Sequence, residues 1–147
     1  MKVLVALDGS SFGEAIIHEV CNQTWPTGSI LKLVTVDPPL ESGLVKGTPS
    51  ALDEILRKKR AELTETLKES VRIVQECLPG VSVESQLLEG WPKEAILDEA
   101  EKWGSDLIAV GSHGYGAIRR FFLGSISLAV ATNAHCSVLI VRPKANV

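Results

Sequence analysis

The chain has 147 residues, of which 45% are hydrophobic and 22% charged, with 15 Lys and Arg against 18 Asp and Glu. That length is typical of one globular domain, so we expect a single domain over residues 1–147. The composition excludes a disordered chain, and the net charge of −3 argues against a nucleic-acid binder, which would carry a basic excess.

The first half of the chain predicts two strands and two helices. Residues 2–7 form a short Val- and Leu-rich run that ends in Asp-Gly-Ser, as expected for a buried strand and its turn. A helix follows from residue 11, where an S-x-x-E capping box precedes apolar residues spaced four apart. A second strand is predicted over 30–36, followed by an irregular connection over 37–49 that is rich in proline and glycine. Ser50 is expected to cap a long amphipathic helix that ends at a Pro-Gly pair.

The second half predicts three strands and two helices in alternation. Residues 81–88 begin with apolar and polar side chains in turn, which is typical of a less buried strand near a sheet edge. A helix over 92–103 begins at a proline and is followed by a glycine that stops it. Residues 106–111 predict a buried strand, 124–134 a helix and 137–141 the last strand.

The order of these elements indicates the fold class. Alternation of strands and helices, with continuously apolar strands, predicts an α/β fold with an open, five-stranded parallel sheet and helices on both faces. Ligands of such sheets bind beyond the carboxyl ends of the strands, where the strand order reverses. Unusual residues follow two strands here, Asp8-Gly9-Ser10 after the first and a glycine-rich run from Gly111 after the fourth.

The segment after the fourth strand has the features of an anion-binding loop. It runs GSHGYGAIRRFFLGSIS over residues 111–127, and glycines let backbone N–H groups approach phosphate oxygens without a Cβ in the way. Gly124 and Ser125 then open a helix, whose free N–H groups and positive dipole end favour an anion. The hydroxyls of Ser125 and Ser127 are further donors. A tight turn without a ligand is the alternative interpretation.

The charges are distributed unevenly along the chain. Residues 1–110 contain 11 Lys and Arg and 18 Asp and Glu, whereas residues 111–147 contain four Lys and Arg and no acidic residue. The segment with the glycines therefore has no acidic side chain to repel a polyphosphate.

Other residues keep two interpretations. Asp8 is either a turn residue or a ribose or metal ligand, and His113 either contacts a phosphate or is an exposed loop histidine. Arg119 and Arg120 either reach phosphates or are solvated. The basic run over 57–60 is interpreted as a solvated, salt-bridged helix face.

The sequence lacks several other nucleotide- and metal-binding motifs. It has no P-loop lysine motif, and the third glycine of G-x-G-x-x-G is missing. It also has no H-E-x-x-H or C-x-x-C metal motif.

The cysteines and apolar runs predict the compartment. The N-terminal apolar stretch is too short for a signal peptide, and no apolar run approaches the roughly 20 residues that span a bilayer. Cys21, Cys77 and Cys136 are odd in number and widely spaced. We therefore predict a cytoplasmic protein without membrane contact, in which the three cysteines are reduced, mostly buried structural thiols.

The spaced glycines also carry a family resemblance. The pattern Gly111-x-x-Gly114, nine residues, then Gly124-Ser125 resembles the nucleotide motif of the universal stress protein family, in its ATP-binding branch. VALDGS near the N-terminus and CSVLIVR near the C-terminus are similar to the first and last strands of that family, so the resemblance covers nearly the whole chain. It implies a Rossmann-like fold, similar to the adenine nucleotide alpha hydrolases, with strand order 3-2-1-4-5.

The resemblance further implies a set of nucleotide-binding positions. In the family an aspartate after the first strand lies at the nucleoside, the end of the second strand contacts adenine, and the glycine motif holds ribose and phosphates. The matching positions in this sequence, with two neighbours at the same helix start, are Asp8, Val36, Gly111, Gly114, Gly124, Ser125, Ile126 and Ser127. It also implies a homodimer, which we expect to pair through the last strand, Val138, Leu139, Ile140 and Val141.

Three functions are compatible with these residues. The first is a stress-response or regulatory module that binds ATP or another adenine nucleotide, with a divalent cation such as Mg²⁺, and couples occupancy to dimer or partner contacts. The second is a slow ATPase or autophosphorylating enzyme that uses Ser125 or Ser127. It ranks lower because no residue is placed as a base, so no catalytic residue is predicted. The third is an interaction module in which the pocket is empty or holds another adenylate and the dimer surface carries the function. The intact glycine motif disfavours an empty pocket.

Overall fold

One parallel sheet organises the chain, whose computed structural model describes residues 1–9, 11–41, 47–113 and 123–144. The elements in chain order are β1 (Lys2–Leu7), α1 (Ser11–Asn22), β2 (Ile30–Asp37), α2 (Pro49–Cys77), β3 (Ser82–Glu89), α3 (Pro92–Trp103), β4 (Leu107–Gly111), α4 (Ser125–Asn133) and β5 (Ser137–Val141). The strands lie in the order β3-β2-β1-β4-β5, all parallel. The predicted fold class and strand order are confirmed.

The central strand β1 supplies side chains to both faces of the sheet. Val3 and Val5 belong to one buried cluster, with α1 and α2, whereas Leu4 and Ala6 belong to the other, with α3 and α4. This division follows from the two-residue repeat of a strand, which directs successive side chains to opposite faces. A helix pair therefore covers each face, and within the described ranges no helix combines the length and apolarity that crossing a bilayer requires.

The long helix α2 differs most from its prediction. Its cap is Thr48, whose hydroxyl oxygen accepts from the Ala51 N–H at 3.4 Å, and Pro49 occupies the first helical position, where a missing N–H leaves no bond unmade. The expected cap, Ser50, lies inside the helix. Only Leu67 and Val74 are buried, so the apolar periodicity overstates how much of α2 packs on the sheet.

Two of the three cysteines contradict the prediction of reduced thiols. Cys21, near the end of α1, and Cys77, the last residue of α2, form a disulfide with a Cα–Cα distance of 5.7 Å. Because α1 and α2 lie on the same face of the sheet, their C-terminal ends meet, which no spacing of cysteines along the chain reveals. Cys77 is also exposed rather than buried. Cys136 is a free thiol, and its partial burial, followed by the charge of Asp106, raises its pKa.

A charged pair is buried on the face covered by α3. Lys32 interrupts the apolar run of β2, and its Nζ lies 2.5 Å from Oε1 of Glu99 on α3, with side-chain exposures of 11% and 9%. The same ammonium lies 5.6 Å from the ring centroid of Trp103, within the range of a cation–π contact. The pair compensates two charges that would be costly to bury singly.

Candidate functional site

A cavity of about 740 Å³ opens at the carboxyl edge of the sheet, a volume typical of small-molecule sites. Its walls come from the ends of β1, β2 and β4, the starts of α3 and α4, and the middle of α2. The connection after β1 leads to a helix on one face of the sheet, and the connection after β4 leads to a helix on the other. The cavity therefore lies where the strand order reverses, as expected for a sheet of this kind.

Most of the predicted nucleotide-binding residues lie around this one cavity. It is lined by seven of the eight: Asp8, Val36, Gly111, Gly124, Ser125, Ile126 and Ser127. Gly114 lies outside the described residues, as do Arg119 and Arg120. The fold thus brings together residues from β1, β2, β4 and α4 that are distant in sequence.

The start of α4 presents free donors to the cavity. Intrahelical bonding begins with the Leu128 N–H, which donates to the Gly124 carbonyl at 2.9 Å, so the N–H groups of residues 125–127 precede the helical ladder. The N-cap is Gly124, which has no side chain to accept from them. Because these residues line the cavity, unsatisfied N–H groups and the positive end of the helix dipole lie at its wall.

Two glycines lie there where backbone and side chains approach closely. A Cβ on Gly124 would lie 3.4 Å from both the Ser112 carbonyl oxygen and the Cα of His113. A Cβ on Gly111 would lie 3.4 Å from Ile16 Cδ1 and from the His113 carbonyl oxygen. The Gly124 N–H also donates to the Ser112 carbonyl at 2.8 Å, so the strand end and the helix start touch backbone to backbone.

Ser125 and Ser127 have different surroundings. The Ser127 hydroxyl, 3% exposed, donates to the Gly111 carbonyl at 2.5 Å and so ties the first turn of α4 to the end of β4. Its proton is engaged in that bond, and its oxygen can act toward the cavity as an acceptor. Ser125 is exposed at the cavity wall, where its hydroxyl is accessible to a ligand.

His113 and the carboxylates complete the polar lining. His113 is half-buried at the cavity, with Nδ1 3.0 Å from the Ser112 hydroxyl oxygen. Among the described residues, the carboxylates of the lining are Asp8 and Glu62. In the part of the chain that the structure describes, no three His, Cys, Asp or Glu side chains are grouped closely enough to hold a metal ion. A cation here would need ligand oxygens in addition to protein ones.

One wall of the cavity was missed by sequence reasoning. It is formed by residues of α2 at helical spacing: Lys59, Glu62, Leu63 and Thr66. The sequence favours a solvated, salt-bridged face for the run that includes Lys59. The Nζ of Lys59 pairs with Asp37 Oδ1 at 3.2 Å and donates to the Pro38 carbonyl at 3.3 Å. These partners lie at the end of β2 and just beyond it, so the ion pair holds α2 beside the cavity, and no local pattern in the sequence indicates it.

The next residue of α2 adds a second link. Arg60 pairs with Glu89 at the end of β3, and its NH1 lies 3.9 Å from Asp37 Oδ2. The hydrogen bond from Arg60 to Glu89 raises the pKa of the guanidinium. Both side chains are well exposed, so solvent weakens the pair and its contribution to stability is small.

Comparison with known proteins agrees with this architecture. Residues 1–142 match the profile of the Universal stress protein family. A universal stress protein of Thermus aquaticus is 37% identical over 141 residues, which are 95% of this chain and 97% of that protein. The universal stress protein MJ0531 of Methanocaldococcus jannaschii is 32% identical over 143 residues, covering 96% of this chain and 81% of that protein.

Solved structures share the fold along nearly its whole length. The universal stress protein UspA from Lactobacillus plantarum superposes with a TM-score of 0.77 at 25% identity, and the match covers 97% of each chain. Structures with the same fold at 20–23% identity hold AMP, in an Arabidopsis thaliana protein, as well as cAMP and dAMP. With the family profile matched over residues 1–142, this chain belongs to the universal stress protein family.

Proposed function

We propose that this chain is a cytoplasmic regulatory module that binds an adenine nucleotide in the cavity between β1 and β4. The observation that carries the proposal is the uncapped start of α4, whose N–H groups line a cavity at the reversal of strand order. The AMP, cAMP and dAMP held by structures of the same fold support an adenine nucleotide as the ligand class.

Each part of a nucleotide has a matching part of the cavity. Phosphates would accept from the N–H groups of residues 125–127 and from the Ser125 hydroxyl. Asp8, whose carboxylate accepts hydrogen bonds, would receive the ribose hydroxyls. The base would lie between Val36, at the end of β2, and the wall formed by α2. Asp8 would be the protein ligand of a divalent cation such as Mg²⁺, whose charge would offset that of the phosphates.

Release of bound nucleotide tests the proposal. Protein purified without added nucleotide is denatured, and the supernatant is analysed by ultraviolet absorbance and mass spectrometry. We expect an adenine nucleotide in a molar ratio approaching one per chain, or stoichiometric uptake of added ATP where the preparation is empty. A folded protein that releases no nucleotide and takes up no ATP would contradict the proposal and favour an interaction module.

A slow ATPase or autophosphorylating activity is the second candidate, favoured by the exposed Ser125 at the cavity wall. We rank it below binding because none of the described side chains forms a hydrogen bond with that hydroxyl through which its proton could be removed. Ser125→Ala is therefore expected to hydrolyse ATP no more slowly than the native protein, measured as phosphate release at saturating ATP. Turnover that is abolished in Ser125→Ala would support the enzyme instead.

We also propose a homodimer that forms along β5. This strand lies at the edge of the sheet, with Val138, Leu139 and Ile140 only half-buried, and no described strand pairs with its outer N–H and C=O groups. Such edges are usually covered or paired. Light scattering at micromolar concentration is expected to give about twice the chain mass of 15.8 kDa, and the mass of a single chain would contradict the pairing.

A further inference from the structure

The disulfide links the two helices that cover one face of the sheet, at the ends remote from the cavity. Cys77 is exposed and Cys21 is half-buried against the core. Cys77 is therefore the side of the bond that is more open to a thiol from outside the protein, whereas Cys21 packs against the core. This is the arrangement of a bond that an external dithiol can open at one defined atom.

The helix that this bond holds is weakly anchored where it lines the cavity. We call residues 49–66 the cavity half of α2; all of them are described, and none is buried. The first buried anchor is Leu67 and the second is Val74. The cavity half is linked to the sheet by two ion pairs, from Lys59 to Asp37 and from Arg60 to Glu89. The second pair is well exposed and contributes little, so the first pair is its main polar link.

The disulfide is thus a third anchor, beyond the two buried side chains. It closes a loop with a sequence separation of 56 residues that includes β2, the connection after it and all of α2. Closing such a loop restricts opened conformations in which α2 leaves the sheet. Opening the disulfide releases that restriction, so the wall of the cavity becomes less firmly held.

The chemistry is a balanced thiol–disulfide exchange with a dithiol reductant. One thiolate of the reductant attacks Sγ of Cys77, the bond to Cys21 breaks, and the Cys21 sulfur leaves with the electron pair and takes a proton. The second thiol of the reductant then displaces Cys77 from the mixed disulfide. The reductant ends as a disulfide, the protein gains two electrons and two protons as two thiols, and a disulfide oxidant reverses the steps.

We propose that Cys21 and Cys77 form a reversible redox site whose disulfide holds α2 over the cavity and whose dithiol form weakens nucleotide binding. The effect on nucleotide rests on the proposed function; the effect on α2 does not. In the proposed cytoplasmic location a disulfide is usually transient and redox-sensing, which fits a bond that opens and closes under changing conditions.

The first test follows α2 without any nucleotide. Thiol titration of the unfolded protein is expected to give one thiol per chain before reduction, from Cys136, and three after treatment with dithiothreitol. Amide hydrogen exchange of the cavity half of α2 is expected to accelerate about 10-fold on reduction, with β1 and β4 unchanged. Three thiols in air-oxidised protein, or equal exchange in the two forms, would overturn the redox site.

The second test measures ATP binding by calorimetry in a Cys136→Ser background, so that only the pair responds. Reduction is expected to raise the Kd for ATP about 10-fold, a coupling of ordinary size. The Cys21→Ser/Cys77→Ser variant should bind like the reduced protein whether or not reductant is present. Native protein with and without reductant also compares ATP affinity in the presence and absence of the disulfide, and this comparison does not require the double variant to fold.

The outcomes separate this inference from the proposed function. Equal ATP affinity in the oxidised and reduced forms would contradict the proposed effect of the disulfide on nucleotide binding. It would not contradict the nucleotide site itself. If neither form binds ATP, the proposed function is wrong, and so is the proposed effect of the disulfide on nucleotide binding. In either case, the thiol titration and the amide hydrogen exchange of the cavity half of α2 test whether Cys21 and Cys77 form a redox site.

Discussion

Replacement of Gly124 by Val is expected to weaken ATP binding by at least about 100-fold while the protein remains folded. A Cβ at this position would lie 3.4 Å from the Ser112 carbonyl oxygen and from the Cα of His113, and the two methyl groups of Val need more room still. The start of α4 must then shift away from the end of β4. Losing two charge-assisted hydrogen bonds to phosphate, about 1.5–3 kcal/mol each, accounts for an effect of this size.

Gly80→Val is the matched control. Gly80 lies in the turn before β3, a Cβ added there would meet no atom within 4 Å, and its φ is not in the left-handed region. The same change of side chain is therefore tolerated far from the cavity. Equilibrium dialysis with ATP measures binding, and circular dichroism checks the fold. Native affinity in Gly124→Val, or equal losses in both variants, would contradict the assignment of the phosphate site.

Replacement of Lys32 by Met is expected to lower the free energy of unfolding by about 3–5 kcal/mol, because it leaves the buried Glu99 carboxylate without its partner. The pair has an Nζ–Oε1 distance of 2.5 Å and both side chains are about nine-tenths buried. Met fills a similar volume, so the loss reflects the uncompensated charge rather than a cavity. Urea unfolding of the oxidised protein measures the change.

A second substitution identifies the cause. Lys32→Met combined with Glu99→Leu removes both charges and is expected to recover most of the lost stability. Arg72→Met is the surface control, because Arg72 pairs with Glu69 and Glu76 on the exposed face of α2, and its midpoint of urea unfolding should stay near the native one. A double variant no more stable than Lys32→Met would show that packing, not charge, sets the loss.

Elements with local signals were predicted well from the sequence. The helix α3 begins at Pro92 and stops at Gly104, whose φ of 74° and ψ of 50° are the left-handed values that favour glycine at a helix end. The partly exposed pattern of Ser82–Glu89 matches its place at the sheet edge. In each case a few neighbouring residues fix the backbone, so the sequence contains enough information to place the element.

Features that depend on distant residues were not predictable. The meeting of Cys21 with Cys77 and the pairing of Lys32 with Glu99 both depend on how helices pack on the sheet. Lys59 has the sequence context of a solvated helix face, yet α2 brings it to the cavity. The glycine motif indicated where the cavity lies because the fold class specifies where strand ends converge. No pattern in the sequence specifies which helix forms the opposite wall.

The most direct test of the nucleotide site is a titration of isotope-labelled protein with ATP, followed by amide chemical shifts. The proposed site predicts saturable shifts that are largest at Asp8, Val36, Gly111 and residues 124–127, the described residues assigned to the nucleotide. Amides of the turn at Gly80 should remain unchanged. An absence of shifts at saturating ATP, or shifts confined to residues outside the cavity, would contradict nucleotide binding between β1 and β4.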